Sequence, residues 1–436
     1  EPYRRQRQMC IRDRYTMKKQ KKLLVLGGTM STLDVVKTAK HMGIEVTVAD
    51  YLEDGIAKKE ADHAAIISTT DYPALINYIQ EHDIDGVFTG ASEFNIKNMI
   101  ELCEKAGLPV YASKEQWDIC SNKKRFKKLC EQYEVPTVPA YSFDSQTQSI
   151  DYASIHYPVI VKPVDSYSGH GISICQNALE LKAGIEYALE NSISKQLIIE
   201  KYMRGKNVEA YYIVQNGKVK LMSLSDRITR NDQDGSPVPV AFHHPSKYIQ
   251  KYITKVNDKV CAMFENFGLK QGVFFMEAFY DEDNFYFYEM GYRLNATMEY
   301  KFVEHFEHYN PLEFMIQYAV EGIFGNKSVT DTKASIFQGA ACELSPLLKK
   351  GTISKIEGLE EIKQDASILY VHQLHFEQDR IDSTGTLDQN FARIHVVAAN
   401  SDLLYDKIKW ILKTLRVYDE HGEQMILPYR KEEVTR

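Results

Sequence analysis

The sequence predicts a chain of mixed α/β and α+β class, and three observations support this. Residues 22–112 alternate short apolar runs, such as KLLVLGG and IEVTVAD, with helical runs, a pattern typical of a parallel sheet with helices on both faces. Farther along, Asn216-Gly217 separates two alternating segments, which is a strong hairpin signal. Residues 326–436 contain further strand-like runs and a helix, LLYDKIKWILKTL. We therefore expect a Rossmann-like domain over 17–113, a mixed central domain and a β-rich C-terminal domain.

The turn after the first strand raises the question of a dinucleotide site. Gly27 and Gly28 follow one strand and Asp50 ends the next, as in dinucleotide-binding folds. However, GGTMST lacks the G-x-G-x-x-G pattern that brings the backbone close to a pyrophosphate. We interpret the glycines as serving a tight turn, with strand ends that face a substrate, and keep NAD binding as the alternative.

Composition excludes several classes of protein. The 436 residues carry a formal net charge of −7, which argues against non-specific nucleic-acid binding. No apolar run approaches the roughly 18 residues that a membrane span needs. Seven cysteines are scattered singly without a CxxC pair. We therefore expect reduced thiols, a cytoplasmic location, and no nucleic-acid or membrane partner.

The first 16 residues, EPYRRQRQMCIRDRYT, differ from the rest of the chain. They are rich in arginine and lack the apolar segment of a secretory signal. The string QMCIRDR resembles translated adapter sequence, so we expect residues 1–16 to be a disordered, non-native leader and Met17 to be the native start. A basic arm that binds nucleic acid is the alternative.

Lys162 ends the apolar run PVIVKP and precedes a small polar loop, SYSGHG. A buried lysine needs an anionic partner, and the nearest acid, Asp165, lies beyond a proline. We therefore expect the anion to come from outside the segment, and a nucleotide phosphate is one candidate. Glycines let successive backbone N–H groups of such a loop surround one anion; a plain hairpin turn is the alternative.

Glu277 and Glu289 lie in two aromatic-rich strands joined by a turn near 281–284. Folding at that turn places the two carboxylates opposite each other, where they would repel or one would stay protonated. A divalent cation removes this conflict, and Mg²⁺ often combines a few carboxylates with substrate phosphates. The alternative is that both side chains point to solvent.

Seven charged residues follow one another in an order that resembles the ATP-grasp superfamily, which includes biotin carboxylase, D-alanine–D-alanine ligase, the large chain of carbamoyl phosphate synthetase and the L-amino acid ligases. In chain order they are Lys123, Lys162, Glu200, Glu209, Glu277, Glu289 and Arg293. The resemblance covers residues 20–420. It implies an ATP-grasp domain over 114–325, with a small subdomain over 125–202 and a large one over 203–325, and a core completed by residues 326–436.

The resemblance also implies roles in nucleotide binding. Lys123 and Lys162 would contact the ATP phosphates, with Lys162 also near the adenine. Backbone groups of the segment that contains Glu200, Lys201 and Met203 would face the adenine. The loop that closes over the phosphates would contain Ser168, Gly169, His170 and Gly171.

The remaining roles that the resemblance implies concern the ribose, the metal and the substrate. Glu209 would hold the ribose hydroxyls, and Glu277 and Glu289 would bind Mg²⁺. Arg293 would meet an acyl phosphate or a substrate carboxylate, because its planar fork can bind two oxygens at once. Arg227, His243 and His244 fall where relatives place phosphate- or substrate-contacting groups; for the two histidines a surface loop is the alternative.

Two departures affect the substrate end of this pattern. Gly291 stands where E-x-N-x-R motifs of the superfamily have asparagine, so water or Asn295 would replace that ligand. RLNAT also replaces the small glycine pair expected after the arginine. An ATP-binding module without catalysis is therefore one alternative function.

The resemblance implies an ATP-dependent ligase with ATP and Mg²⁺, or Mn²⁺, as cofactors. A carboxylate would be activated as an acyl phosphate and joined to an amine, giving ADP and phosphate. An ATP-dependent carboxylase or carbamoyl-phosphate-type enzyme is the second alternative. The expected partners are small-molecule carboxylates and amines, and relatives suggest a homodimer.

Overall fold

The computed structural model describes residues 19–434 apart from 145–146, 148, 166–170, 231–237 and 333. The expected leader over 1–16 therefore lies outside the described residues. The described chain forms two compact units, one of residues 19–110 with Ile316–Ile323, and one of Tyr111–Met315 with the residues from Phe324 onward. The mixture of parallel and antiparallel sheets with helices confirms the predicted α/β and α+β class.

The first unit contains a four-stranded parallel sheet with the strand order β3-β2-β1-β4. The strands are β1 (Lys22–Leu26), β2 (Glu45–Asp50), β3 (His63–Ile66) and β4 (Gly86–Phe88). The connecting helices are α1 (Met30–His41), α2 (Ile56–Glu60), α3 (Tyr72–Glu81) and α4 (Glu93–Ala106). The first helix ends at His41, just before Gly43, whose φ of 78° is the left-handed conformation that glycine adopts readily.

The second unit begins with two consecutive helices. They are α5 (Lys114–Ser121) and α6 (Lys123–Gln132). Asn122 separates them, because its backbone is extended and its side chain accepts hydrogen bonds from two N–H groups of the next turn. This N-cap directs Lys123 and Lys127 along one face of α6, one turn apart.

A small antiparallel sheet with the order β5-β8-β6-β7 follows. Its strands are β5 (Ala140–Tyr141), β6 (Val159–Pro163), β7 (Ser173–Cys175) and β8 (Leu197–Lys201), and helix α7 (Ala178–Glu190) packs on it. Val159 and Val161 contribute to the core under this helix. Because side chains alternate across a strand, Lys162 faces the opposite side.

The largest element is an eight-stranded sheet with the order β13-β12-β9-β10-β11-β14-β18-β16. Its strands are β9 (Lys206–Gln215), β10 (Lys218–Arg230), β11 (Val238–His244), β12 (Gly272–Asp281), β13 (Asn284–Gly291), β14 (Ala340–Leu344), β16 (Ile368–Gln373) and β18 (Ala392–Ala398). A three-stranded sheet contains β15 (Gly351–Glu357), β17 (Arg380–Ile381) and β19 (Arg416–Asp419). Strands from the central and C-terminal segments thus share one sheet.

Further helices accompany these sheets. They are α8 (Ile249–Tyr252), α9 (Asp258–Phe267), α10 (Tyr300–Glu307), α11 (Pro311–Glu321), α12 (Leu359–Gln364), α13 (Ser401–Thr414) and α14 (Lys431–Val434). A π-helical turn, Ile253–Asn257, joins α8 to α9.

Two predicted turns are confirmed. Asn216 and Gly217 have positive φ and connect β9 to β10. Glu282 and Asp283 likewise have positive φ and connect β12 to β13.

The polar, turn-rich stretch DRITRNDQDGSPV, residues 226–238, is part of two strands at its ends. Residues up to Arg230 continue β10, and Val238 already begins β11. The polar side chains of this stretch are compatible with a buried strand because they find partners: Asp226 accepts from Ser246, and Arg230 pairs with Glu433. Residues 231–237 lie outside the described part.

Candidate active site

Three carboxylates form a row across neighbouring strands of the large sheet. Glu277 on β12 is directly opposite Glu289 on β13 and also opposite Glu209 on β9. The predicted opposition of Glu277 and Glu289 is therefore confirmed, and Glu209 joins them, although the resemblance implied a ribose contact for it. We call Glu209, Glu277 and Glu289 the carboxylate row.

At the buried end of the row, two carboxylates share one arginine. Burial raises the pKa of Glu209 well above its ordinary value, and the negative charge of Glu277 raises it further. Arg227 lies between them, with Nε 3.9 Å from Glu209 Oε2 and Nη1 3.7 Å from Glu277 Oε2. Burial alone would lower the pKa of Arg227, but Glu277 and its other anionic neighbours raise it above the ordinary value, so it stays charged.

Tyr288 is a site residue that sequence reasoning missed. The register of β12 and β13 shifts between Glu277 and Ala278, so Tyr288 is an extra residue in a β-bulge. Such bulges change the direction of side chains and are common next to active sites. Its hydroxyl donates a hydrogen bond to Glu277 and lies 3.2 Å from Asn207 Oδ1. Lys162 Nζ lies 5.3 Å from the centre of its ring. Tyr288 thus connects the small sheet to the carboxylate row.

The anionic partner of Lys162 is Glu200, whose Oε2 lies 2.8 Å from Lys162 Nζ. Glu200 Oε1 lies 2.5 Å from Lys127 Nζ. Burial alone would raise the pKa of Glu200, but the two lysines outweigh burial and the pKa is lowered. The anion that we expected from outside the segment of Lys162 is therefore a protein carboxylate. Asp165 is occupied elsewhere, since it accepts from Ser192 and Ser194.

Lys127 was also missed, although its position four residues after Lys123 is a usable signal. Both lysines lie on α6, and each is directed to a carboxylate. Lys127 pairs with Glu200, whereas Lys123 Nζ lies 3.7 Å from Glu289 Oε1. One helix therefore supplies a cation to the small sheet and another to the carboxylate row.

The segment expected to face the adenine is only partly free to do so. The Lys201 backbone N–H donates to Pro139 O at 2.9 Å, so that N–H cannot bind a ligand. Met203 is buried with Val138 and Tyr288, and Phe279 and Tyr286 pack against them. These apolar side chains would suit the flat face of a base.

Arg293 lies close to the ring of Phe275, with its guanidinium carbon 4.8 Å from the ring centre. Gly291 makes this arrangement feasible, because a Cβ at that position would lie 2.4 Å from a carbon of the Phe275 ring. The departure from the asparagine of the superfamily therefore has a packing reason. Asn295 does reach the carboxylate row, where its amide donates to Glu209 Oε1.

The two histidines lie on strand β11, so the surface-loop alternative is wrong. His243 is buried and its Nε2 lies 3.1 Å from the carbonyl oxygen of Glu433, away from the carboxylate row. His244 is completely buried on the opposite face, with Nε2 3.1 Å from Glu299 Oε2. Of the two, only His244 shares the sheet face of the row.

The loop predicted to close over phosphates is described only at its end. Ser168, Gly169 and His170 lie outside the described residues. Gly171 has a φ of 76°, and a Cβ there would lie 2.6 Å from Pro163. Glycine at this position therefore serves both the turn and a close approach.

The residues present fit Mg²⁺ only together with ligand oxygens. Among residues 19–434 with the gaps given above, no three His, Cys, Asp or Glu side chains converge as a ready metal site. However, Glu209 and Glu277 are directly opposite each other and share the single charge of Arg227, so a divalent cation would relieve the repulsion that remains. Glu277 and Glu289 would hold Mg²⁺, with phosphate oxygens and water completing its shell.

The dinucleotide alternative finds no support at Asp50. Its carboxylate accepts hydrogen bonds from the backbone N–H groups of Gly28 and Leu52, each at 2.9 Å. Both oxygens are thus engaged by the protein's own turn.

None of the helices in the described part of the chain combines the length and apolar character of a membrane span.

Comparison with known proteins agrees with this geometry. Residues 122–299 match the family model described as carbamoyl-phosphate synthase L chain, ATP binding domain. A formate-dependent phosphoribosylglycinamide formyltransferase of Wolinella succinogenes is 25% identical over 63% of this chain and 70% of its own. The enzyme of that name from Sulfurisphaera tokodaii is 31% identical over 42% of this chain, which spans only 47% of that relative.

Solved structures share the fold at low sequence identity. The L-amino acid ligase from Bacillus licheniformis is 18% identical with a TM-score of 0.75, covering 93% of this chain and 100% of that one. The biotin carboxylase domain of Hydrogenobacter thermophilus 2-oxoglutarate carboxylase, in complex with MgADP and bicarbonate, is 20% identical with a TM-score of 0.73, covering 93% and 91%. The shared fold of these structures confirms the predicted ATP-grasp fold.

Proposed function

We propose that the protein is an ATP-dependent ligase that activates a carboxylate as an acyl phosphate and joins it to an amine, forming ADP and phosphate. One observation carries the proposal: a row of carboxylates faces a set of lysines and arginines across one site. Glu289 lies 3.7 Å from Lys123, and Tyr288 joins Glu277 to Lys162. Such an arrangement suits a Mg²⁺-bound triphosphate.

The side chains divide the chemistry between them. Lys123 and Lys162 neutralise phosphate oxygens, and Arg293 binds two oxygens of the carboxylate or of the acyl phosphate. Glu277 and Glu289 would hold Mg²⁺, which would supply positive charge to neutralise the phosphate oxygens. The carboxylate oxygen attacks the γ-phosphorus and ADP leaves. The amine then attacks the carbonyl carbon, and the bond from that carbon to the phosphate oxygen breaks.

The relatives support this reaction class through their names: one is a formate-dependent formyltransferase and another an L-amino acid ligase. The proposed partners are accordingly small-molecule carboxylates and amines. A cytoplasmic location is supported by six buried cysteines in the described part of the chain that form no disulfide with one another. A homodimer stays a prediction.

Phosphate release with Mg-ATP tests the proposal. Formate, acetate and the twenty amino acids serve as carboxylates, and ammonium, glycinamide and the amino acids serve as amines. We expect ADP formation that requires one carboxylate and one amine together. Turnover with bicarbonate and no amine would support the carboxylase alternative, and ATP binding without ADP formation under all conditions would support the non-catalytic alternative.

A further inference from the structure

Beside the carboxylate row, the same face of the large sheet carries a second group of buried polar side chains. We call it the distal cluster; it consists of His244, Glu299, Glu343, Arg393 and His395. Glu343 on β14 is directly opposite His395 on β18, and His244 on β11 is opposite Ala341 on β14. His244 and Glu343 are therefore diagonal neighbours on adjacent strands.

Several atoms of the distal cluster lack hydrogen-bond partners among the described residues. They are His244 Nδ1, Glu343 Oε2 and His395 Nδ1. All three side chains are completely buried. Because a buried polar atom without a partner is costly, native proteins leave few of them. Their concentration at one place indicates a site for something that supplies hydrogen bonds.

The cluster is acidic around His244. Glu299 approaches His244 from one side and accepts a hydrogen bond from Ser223. Burial raises the pKa of Glu343 to about 7 despite Arg393, whose Nη1 is 3.8 Å away, and the charge of Glu299 contributes to the rise. Positive charge lies at the other end of the cluster. Burial lowers the pKa of His395, and the charges of Lys301 and Arg393 lower it further.

We propose that the distal cluster binds the amino group of the amine substrate, with Glu299 and Glu343 as its acceptors; this inference rests on the proposed function. A primary ammonium has three N–H donors and no acceptor. The free Glu343 Oε2, a ring nitrogen of His244 and the Glu299 carboxylate together offer complementary acceptors. A metal fits less well, since no three such side chains of the described chain converge as a metal site.

The position of the distal cluster suits this role. His244 lies on β11, two strands from Glu209 on β9, which corresponds to about 10 Å at the usual strand spacing. Ser225, opposite Glu209 on the intervening strand, is small and buried. A small amine held at the cluster therefore lies within reach of a carboxylate activated at the row.

Binding is tested without catalysis, on the full chain in the presence of Mg-ATP. Unfolding temperature is measured with ammonium, glycinamide and the amino acids, and with N-acetylglycinamide and N-acetylated amino acids as matched controls. We expect at least one free amine to raise the unfolding temperature by about 2 °C, and its acetylated form to have no effect. Glu299→Gln and Glu343→Gln should each abolish this rise. Glu307→Gln, which alters a carboxylate paired with Lys220 and Ser335, should retain it.

Kinetics provide the second readout, for the amine that turns over. Each cluster variant should raise the KM for that amine about 10- to 100-fold, because hydrogen bonds to a charged group are lost. Hydroxylamine, which is largely uncharged at neutral pH, intercepts acyl phosphates as hydroxamates, so hydroxamate formation should remain within about twofold of the wild type.

The outcomes separate the two proposals. If the wild type forms neither ADP nor hydroxamate with any carboxylate, the proposed function fails, while amine binding is still decided by the unfolding temperatures. If no free amine stabilises the wild type, or if the stabilisation survives both cluster variants, the amine assignment is overturned and the distal cluster is an internal network completed by water.

Discussion

Glu200 on the small sheet and Glu343 on the large sheet are both buried carboxylates, yet their surroundings differ in charge. Glu200 is held by Lys127 and Lys162, and its pKa is lowered. Glu343 has one distant arginine and an unpartnered oxygen, and its pKa is raised to about 7. On the small sheet the carboxylate already pairs with two lysines, whereas on the large sheet one carboxylate oxygen has no hydrogen-bond partner among the described residues. Glu200 holds Lys127 and Lys162 in place, and Glu343 is suited to a ligand that donates hydrogen bonds.

The largest expected effect is on the large sheet, where removing a carboxylate should cost activity rather than stability. Glu289→Gln should lower ADP formation by about 10²- to 10³-fold or more, because one Mg²⁺ ligand is lost. Its side chain is partly exposed and its ion pair with Lys123 is long, at 3.7 Å, so the unfolding temperature should change little. Steady-state ADP release and thermal unfolding of the purified variant check this. Full turnover would remove Glu289 from the metal site.

On the small sheet, we expect the removal of a carboxylate to cost mainly stability. Glu200→Gln leaves two buried lysines without their anion, and breaking a buried ion pair in this way costs about 3–5 kcal/mol. Lys127→Met removes one charge while Lys162 still pairs with Glu200, so its free energy of unfolding should fall less. Denaturant titration of both variants measures the difference. Equal losses would show that Glu200 is not shared between the two lysines.

The pH dependence of stability should have opposite signs at the two carboxylates. The lowered pKa of Glu200 means that its stabilising contribution is present above the pKa of the unfolded chain and is lost as the pH falls through the folded value. The raised pKa of Glu343 has the opposite consequence: the folded state holds a proton that the unfolded chain has released, so stability falls between about pH 4.5 and 7.

That fall should amount to about 3 kcal/mol, since each pKa unit corresponds to about 1.4 kcal/mol. The groups that face Glu343 include Ser345, Arg393, His244, Glu299 and His395. Free energies of unfolding are compared for the wild type and Glu343→Gln across this range. The free energy of unfolding of the variant should fall less as the pH rises. Parallel profiles for the two proteins would show that folding does not raise the pKa of Glu343.

How far the sequence predicted the site depends on whether a residue acts within its own segment. The opposition of Glu277 and Glu289 followed from a twelve-residue separation and a turn, both local features. The partner of Lys162 did not, because Glu200 lies on another strand and pairs only through sheet register. Glu343 and His395 are separated by 52 positions (395 − 343) and meet only because β14 and β18 are neighbours. Periodicity within a segment contains no information on such pairings.

Tyr288 joins the two regions, and its substitution should have the smallest effect. Its ring lies near Lys162 of the small sheet, while its hydroxyl donates to Glu277 of the large sheet. Tyr288→Phe keeps the ring contact and removes one hydrogen bond to a metal-binding carboxylate. Because this hydrogen bond orients the Glu277 carboxylate, its loss should weaken Mg²⁺ binding by about 1 kcal/mol. The Mg²⁺ concentration for half-maximal ADP formation should therefore rise about fivefold. Tyr286→Phe on the same strand is the control. An unchanged Mg²⁺ requirement would mean that the bulge positions Tyr288 for packing alone.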